Sequence, residues 1–253
     1  MDNNFEPIDP FSEFADYYDL MPRDDAGLRD FFEYLINRHN IRSVLDCACG
    51  TGNDLLLLHE LGIEVSGSDI SRAMLKCARA KIDTAKINLI QCDFRKLPET
   101  IKRRFDMVLS LDTSIPQLSD KKDVLDALKS MRGALNPEGI LVLSQGMTDA
   151  QYKARKRFHP VVITSKFSRV MVIDYLEKYW QVHVLDIRHL ENEPSFNIFA
   201  FKYLTLLRDD YKSLLTSAGF ESITFYNGFT SDPGDEFSSG TMVIVAENGP
   251  GAI

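Results

Sequence analysis

The sequence holds little of what marks a metal centre or a disulfide scaffold. Its four cysteines, Cys47, Cys49, Cys77 and Cys92, are sparse for 253 residues and stand among apolar neighbours, a pattern that fits reduced thiols in a cytosol. Its five histidines form no cluster with carboxylates at ligand-like spacing, so no metal site is expected. Basic residues are outnumbered, 29 Lys+Arg against 37 Asp+Glu, for a formal net charge of −8. That balance lacks the electrostatic footprint of a nucleic-acid binder or of a protein that sits on an anionic membrane. No apolar run approaches the roughly 20 residues of a membrane-spanning helix. The opening Met1-Asp2-Asn3-Asn4-Phe5-Glu6 is acidic and polar, unlike a secretory leader. A cytoplasmic setting is the expectation.

What is present is 44% hydrophobic and 26% charged residues, the profile of a globular domain with a sizeable core. Residues 1–25 are rich in aromatics and acids, and Pro7, Pro10 and Pro22 break any long helix. A short helix near Ser12–Tyr18 inside a mobile arm is expected, either simply packed or acting as a lid that carries aromatic side chains onto a site. From residue 26 onward, β and α patterns alternate. Helices are expected over Ala26–Asn40, Asn53–Leu61, Ser71–Ala85 and Lys121–Leu135. Strands are expected over Ser43–Cys47, Ile63–Gly67, Ile87–Cys92, Phe105–Ser110 and Ile140–Ser144. This order predicts a doubly wound, Rossmann-like α/β sheet, parallel and covered on both faces. The rhythm changes at about 150–206. There Val161–Thr164, Arg169–Tyr175, Trp180–His189 and Phe196–Leu206 read as an inserted antiparallel meander. A helix over Arg208–Ala218 and strands over Ser222–Tyr226 and Thr241–Ala246 close the domain, with a loop at Ser231–Gly240 and a frayed tail from Asn248.

In an open α/β sheet, ligands bind beyond the carboxyl ends of the strands. The first strand here runs into Asp46-Cys47-Ala48-Cys49-Gly50-Thr51-Gly52. Gly50 and Gly52 permit a tight turn and close approach of a ligand to the backbone. The spacing is Asp-x-Ala-x-Gly-x-Gly, unlike the Gly-x-Gly-x-x-Gly of dinucleotide sites. A carboxylate at position 46 would sit poorly beside a pyrophosphate and suits a cationic amino group, directly or through water. Asp69 ends the second strand, where an acid accepts from ribose hydroxyls. Cys92-Asp93-Phe94 ends the third, where Asp93 is placed to accept from an adenine amine and Phe94 to cover the ring. Together these residues describe adenosine with a charged amino-acid tail and no phosphate, which is S-adenosylmethionine.

The chain thereby resembles the class I S-adenosylmethionine-dependent methyltransferases. The match lies in Val44–Gly52, Ser68-Asp69-Ile70-Ser71, Cys92-Asp93-Phe94, Phe105–Leu109 and Leu135–Leu141. The resemblance implies a seven-stranded sheet whose last strand is antiparallel, and a cofactor site that includes Ala48, Ile70, Leu111 and Gln117. The segment after the fourth strand, Ser114-Ile115-Pro116-Gln117, lacks the Asn/Asp-Pro-Pro-aromatic sequence of enzymes that methylate nucleic-acid amines.

Tyr17-Tyr18-Asp19 in the arm, Arg38-His39, the meander and the segment Tyr203–Phe229 make the chain similar to the glycine and glycine/sarcosine N-methyltransferases. By that resemblance Tyr17 and Arg169 hold an amino-acid substrate, Arg169 as the carboxylate clamp, and Arg23 meets the cofactor carboxylate. The family's Gly-Asn-Ser is replaced by Asp112-Thr113-Ser114, with Gln117 where a His follows, and Thr113 keeps one hydrogen-bonding hydroxyl. The expected partner is a small-molecule amine, glycine or sarcosine first. A different small-metabolite amine or hydroxyl, or a non-catalytic adenosylmethionine-binding role, stays open at this point, as does self-association into a homo-oligomer.

Overall fold

The computed structural model describes residues 9, 11–82, 87–189, 195–234 and 240–249. In chain order the elements are α1 (Ala15–Tyr18), α2 (Asp25–His39), β1 (Ser43–Asp46), α3 (Asn53–Glu60), β2 (Glu64–Asp69), α4 (Arg72–Ile82), β3 (Asn88–Gln91), α5 (Leu97–Thr100), β4 (Phe105–Ser110), α6 (Lys121–Gly133) and β5 (Leu135–Gln145). They continue with α7 (Asp149–Ala154), β6 (Phe158–Ile163), β7 (Phe167–Tyr175), β8 (Tyr179–Arg188), β9 (Ser195–Leu204), α8 (Arg208–Ala218), β10 (Ser222–Asn227) and β11 (Met242–Glu247).

Seven strands form one sheet in the order β10-β11-β5-β4-β1-β2-β3. β11 is antiparallel to both its neighbours, whereas β1 pairs in parallel with β2 and β4. The expected architecture is therefore present. Its central strand β1 is buried throughout and β4 at every residue but Asp106, because helices cover both faces, and successive residues alternate between two cores. Leu45 and Val108 pack toward α6 and α8, while Val44, Met107 and Leu109 pack toward α2, α3 and α4. The helix boundaries follow local chemistry. The Asp24 carboxylate accepts from the Gly27 N–H at the start of α2, and Asn40, left-handed at φ 51°, ends it.

Strand order reverses between β1 and β4, which places the ligand crevice over their carboxyl ends. Above it lies the second sheet, β6-β7-β8-β9, fully antiparallel and inserted between β5 and α8. Its inner face alternates strictly along β8: Trp180, Val182 and Val184 are buried and pack with Phe199 and Phe201.

Several boundaries differ from the sequence reading. β5 begins at Leu135 rather than Ile140, because the Pro137-Glu138-Gly139 stretch is absorbed as an irregularity with Glu138 at φ 62° instead of ending the pairing. Helices α5 and α7, of 4 and 6 residues, are too short to show a hydrophobic period in the sequence. The described part of the arm packs against the rest of the fold. Phe14 and Ala15 are buried in the same cluster as the inner face of the meander. Asn248 is also held, its backbone N–H donating to Gly139 O and its side chain to Asn136 O. Residues 83–85 of the expected fourth helix, 235–239 of the loop and 250–253 of the tail lie outside the described residues.

Candidate active site

A single cavity of about 810 Å³ runs from the carboxyl ends of β1, β2 and β4 to the inner face of the meander. Of the residues singled out from sequence, it is lined by Arg23, Ala48, Gly50, Asp69, Ile70, Phe94, Leu111, Thr113 and Gln117. These come from five separate stretches of chain; the parallel order of β1 to β4 gathers four of them, and the arm adds Arg23.

The floor is built from β1 and β2. Gly50 adopts φ 50°, in the left-handed region, and a side chain there would extend toward the Tyr18 ring. Its N–H donates to Asp69 Oδ2 at 2.9 Å, and the Ser71 N–H donates to Asp69 Oδ1 at 2.8 Å. A carboxylate at this edge of the cavity has the acceptor chemistry that a ribose hydroxyl requires. The neighbouring Ile70 is 58% exposed although it is apolar and lines the cavity, a surface suited to the flat face of a base.

Asp46 is buried behind this floor and outside the cavity lining, with Ala48 N–H donating to its Oδ1 at 3.1 Å. Burial pushes its carboxyl well above the ordinary range, and Asp54, Asp69 and Asp112 add to the effect. Arg23, from the arm, is the one arginine on the cavity wall among the described residues and pairs with Asp54 and Asp25 at 2.8 and 2.9 Å. Such a surplus of carboxylates favours a ligand with sulfonium and ammonium charges. Asp69 for the ribose, Ile70 and Phe94 for the base and Arg23 for the carboxylate fit S-adenosylmethionine.

Other assignments are not brought to the cavity. Gly52, at φ 84°, faces α4, where an added Cβ would lie 3.3 Å from Ala78 Cβ. It serves the turn and the helix packing. Gly52→Ala is expected to cost about 1–3 kcal/mol of stability, from left-handed strain and crowding, and an unmoved urea midpoint would refute this. Asp93 lies outside the lining, and its two oxygens accept from Arg95 Nε and Nη2, so the carboxylate is occupied locally.

Tyr17 and Arg169 also lie outside the lining. Tyr17 packs on Phe199 under the Arg188 guanidinium, so the arm turns Tyr18 to the cavity in its place. Arg169 is fully buried and gives Nε and Nη2 to Asp186 at 2.6 and 2.5 Å. It also donates to Tyr17 O at 2.9 Å and lies over the Phe14 ring. The expected carboxylate clamp is instead an anchor for the arm. Further ties close the arm over the loop. Asp19 accepts from Thr51 Oγ1 and Asn53 Nδ2 and pairs with Lys81, and Ser71 Oγ donates to Asp9.

Sequence reasoning missed Tyr18, Asp54, Asp112 and Tyr203, all on the cavity wall. Asp54 carried a signal, an acid in the first turn of a helix that follows a glycine loop.

The methyltransferase domain family matches residues 44–139. The glycine/sarcosine N-methyltransferase of Halorhodospira halochloris is 30% identical over 210 residues, covering 79% of this chain and 73% of that protein. The chain belongs to the class I S-adenosylmethionine-dependent methyltransferases. Another glycine/sarcosine N-methyltransferase, from Aphanothece halophytica, is 28% identical over 206 residues, covering 79% of this chain and 74% of its own. In fold, this methyltransferase is similar to an S-adenosylmethionine-dependent methyltransferase from Clostridium acetobutylicum ATCC 824. That match has a TM-score of 0.81 at 16% identity and covers 94% of this chain and 99% of that one. S-Adenosylmethionine is thus the methyltransferase's cofactor. No helix among its described residues is long and apolar enough to cross a membrane.

Proposed function

We propose that this methyltransferase transfers the methyl group to the amine nitrogen of a small molecule. The observation that carries the reading is the continuity of one cavity from the cofactor floor to the space under the meander. That enclosure suits an acceptor of metabolite size. Relatives named for glycine and sarcosine N-methylation support nitrogen as the acceptor atom. The cofactor supplies a methyl group already activated on a sulfonium. The protein's own residues then have three tasks. The arm and meander exclude water, the turn after β4 positions the acceptor, and a group beside that turn holds or removes the amine proton. The four thiols are free, which supports a reducing cytoplasmic setting.

The test is transfer of label from methyl-labelled S-adenosylmethionine to glycine, sarcosine and a panel of primary and secondary amines, alcohols and carboxylates. Label is expected on nitrogen only. Label on oxygen refutes the amine reading, and tight cofactor binding without turnover supports a non-catalytic role.

A further inference from the structure

We propose that Asp112 holds the acceptor as an ammonium and takes its proton, and that the chamber selects an amine bearing no carboxylate; this rests on the N-methyltransferase reading above. Asp112 follows β4 with φ 53°, and Thr113 follows it with φ 66°. Two consecutive left-handed residues, neither a glycine, persist only where the surroundings impose them, and such strain gathers at functional sites. Here β5 imposes it. The Asp112 N–H donates to Ser144 Oγ at 2.9 Å, the Thr113 N–H to Ser144 O at 3.0 Å, and the Gly146 N–H to Thr113 Oγ1 at 3.0 Å. The Asp112 side chain is accessible and lines the cavity. Tyr18 Oη donates to its Oδ2 at 3.2 Å, and among the described residues no other side chain or backbone group hydrogen-bonds it. Among the described residues, Oδ1 of this cavity-lining carboxylate therefore has no hydrogen-bond partner.

The distribution of cations decides what this carboxylate can receive. Among the described residues, the cavity wall carries Arg23 and His159 as its basic side chains. Arg23 is engaged with Asp54 and Asp25 on the cofactor side, and His159 lies against Lys156 O at 2.6 Å. Arg169 is sealed away with Asp186. A carboxylate on the acceptor would meet Asp112 and Asp54, and among the described residues the guanidinium on the cavity wall, that of Arg23, is already held by Asp54 and Asp25. An ammonium without a carboxylate meets a complementary field. The chamber walls contributed by Met171, Ile173, Val182, Val184, Phe201 and Tyr203 suit an apolar body behind that amine.

The proton balance closes. An N–H bond of the ammonium breaks, its electron pair stays on nitrogen, and an O–H bond forms on Asp112. The nitrogen pair then makes the C–N bond while the donor's C–S pair remains on sulfur, and the proton leaves Asp112 to cavity water. The groups facing Asp112 are Tyr18 from α1, Arg23 from the arm, Asp54 from α3 and Asp46 from β1. Enclosure and Asp54 raise the Asp112 carboxyl, which brings a proton acceptor closer to working pH.

The experiment uses Asp112→Asn. Asparagine tolerates the left-handed backbone, keeps an acceptor for Tyr18 and removes only the charge. Probes are paired amines with and without a carboxylate: methylamine with glycine, isobutylamine with valine, phenethylamine with phenylalanine. Binding is measured by calorimetry on protein saturated with S-adenosylhomocysteine, and turnover by label transfer. The carboxylate-free member of a pair should bind and react better in the wild type. Asp112→Asn should raise its KM and Kd about 10- to 100-fold, leave S-adenosylhomocysteine affinity within about twofold, and shift the acid limb of the kcat/KM profile. Preference for the amino acids overturns the selection claim. An unchanged KM and pH profile in Asp112→Asn overturns the role of Asp112 while N-methylation stands. Wild-type transfer to oxygen, or binding of no amine in any pair, defeats the underlying reading and this inference with it.

Discussion

Asp69→Ala should bind S-adenosylmethionine about 5- to 150-fold more weakly, the equivalent of about 1–3 kcal/mol. The reason is geometric. Asp69 holds the Gly50 and Ser71 amides, one on each oxygen, at the cavity edge where the proposed cofactor placement puts the ribose hydroxyls. Alanine removes the ligand's acceptors and frees the Gly50 amide that shapes the floor beneath it. Calorimetric titration with S-adenosylmethionine and with S-adenosylhomocysteine should show the same loss, because the ribose is common to both. Asp69→Asn keeps the side-chain volume and separates loss of charge from loss of shape. Unaltered affinity in the alanine variant would move the cofactor away from this floor.

Arg169→Ala should destabilise the protein by about 3–5 kcal/mol, a large part of the roughly 5–15 kcal/mol that holds a domain folded. The pair it forms with Asp186 is inaccessible on both sides, and removing the cation strands a carboxylate in the apolar layer that holds Trp180 and Phe199. Urea denaturation followed by tryptophan fluorescence reports the change, since Trp180 is the single tryptophan and is buried in that layer. The double substitution Arg169→Met with Asp186→Leu should recover most of the loss, because no buried charge then remains unpaired. If Arg169→Ala instead kept its midpoint and raised the acceptor KM alone, the carboxylate clamp expected from sequence would be reinstated.

The two predictions separate what a one-dimensional reading captures from what it does not. Asp69 was found from its place at the end of a β run before a helix, a feature of neighbouring residues. Arg169 is expected from sequence to clamp a substrate carboxylate, and in the fold the carboxylate it pairs with is the protein's own Asp186. Strand register sets Arg169 directly opposite Asp186. The alternation Trp180, Val182, Val184 carries Asp186 onto the same buried face. An acid in that phase demands a cation, yet nothing local says which strand supplies it.

By itself, then, the sequence determined the alternating α/β order, the glycine floor with Asp69 beside it, and the interruption of the sheet by a meander. All of these rest on periodicity and turn chemistry acting over a few residues. Tertiary structure alone decided that Tyr18 rather than Tyr17 faces the cavity, that Asp112 is turned into it through a left-handed step imposed by β5, and that Arg169 anchors the arm. Each of these outcomes depends on partners distant in the chain. Only the packed fold brings those partners within hydrogen-bonding reach, and there the burial of a charge or the strain of a backbone angle selects one arrangement.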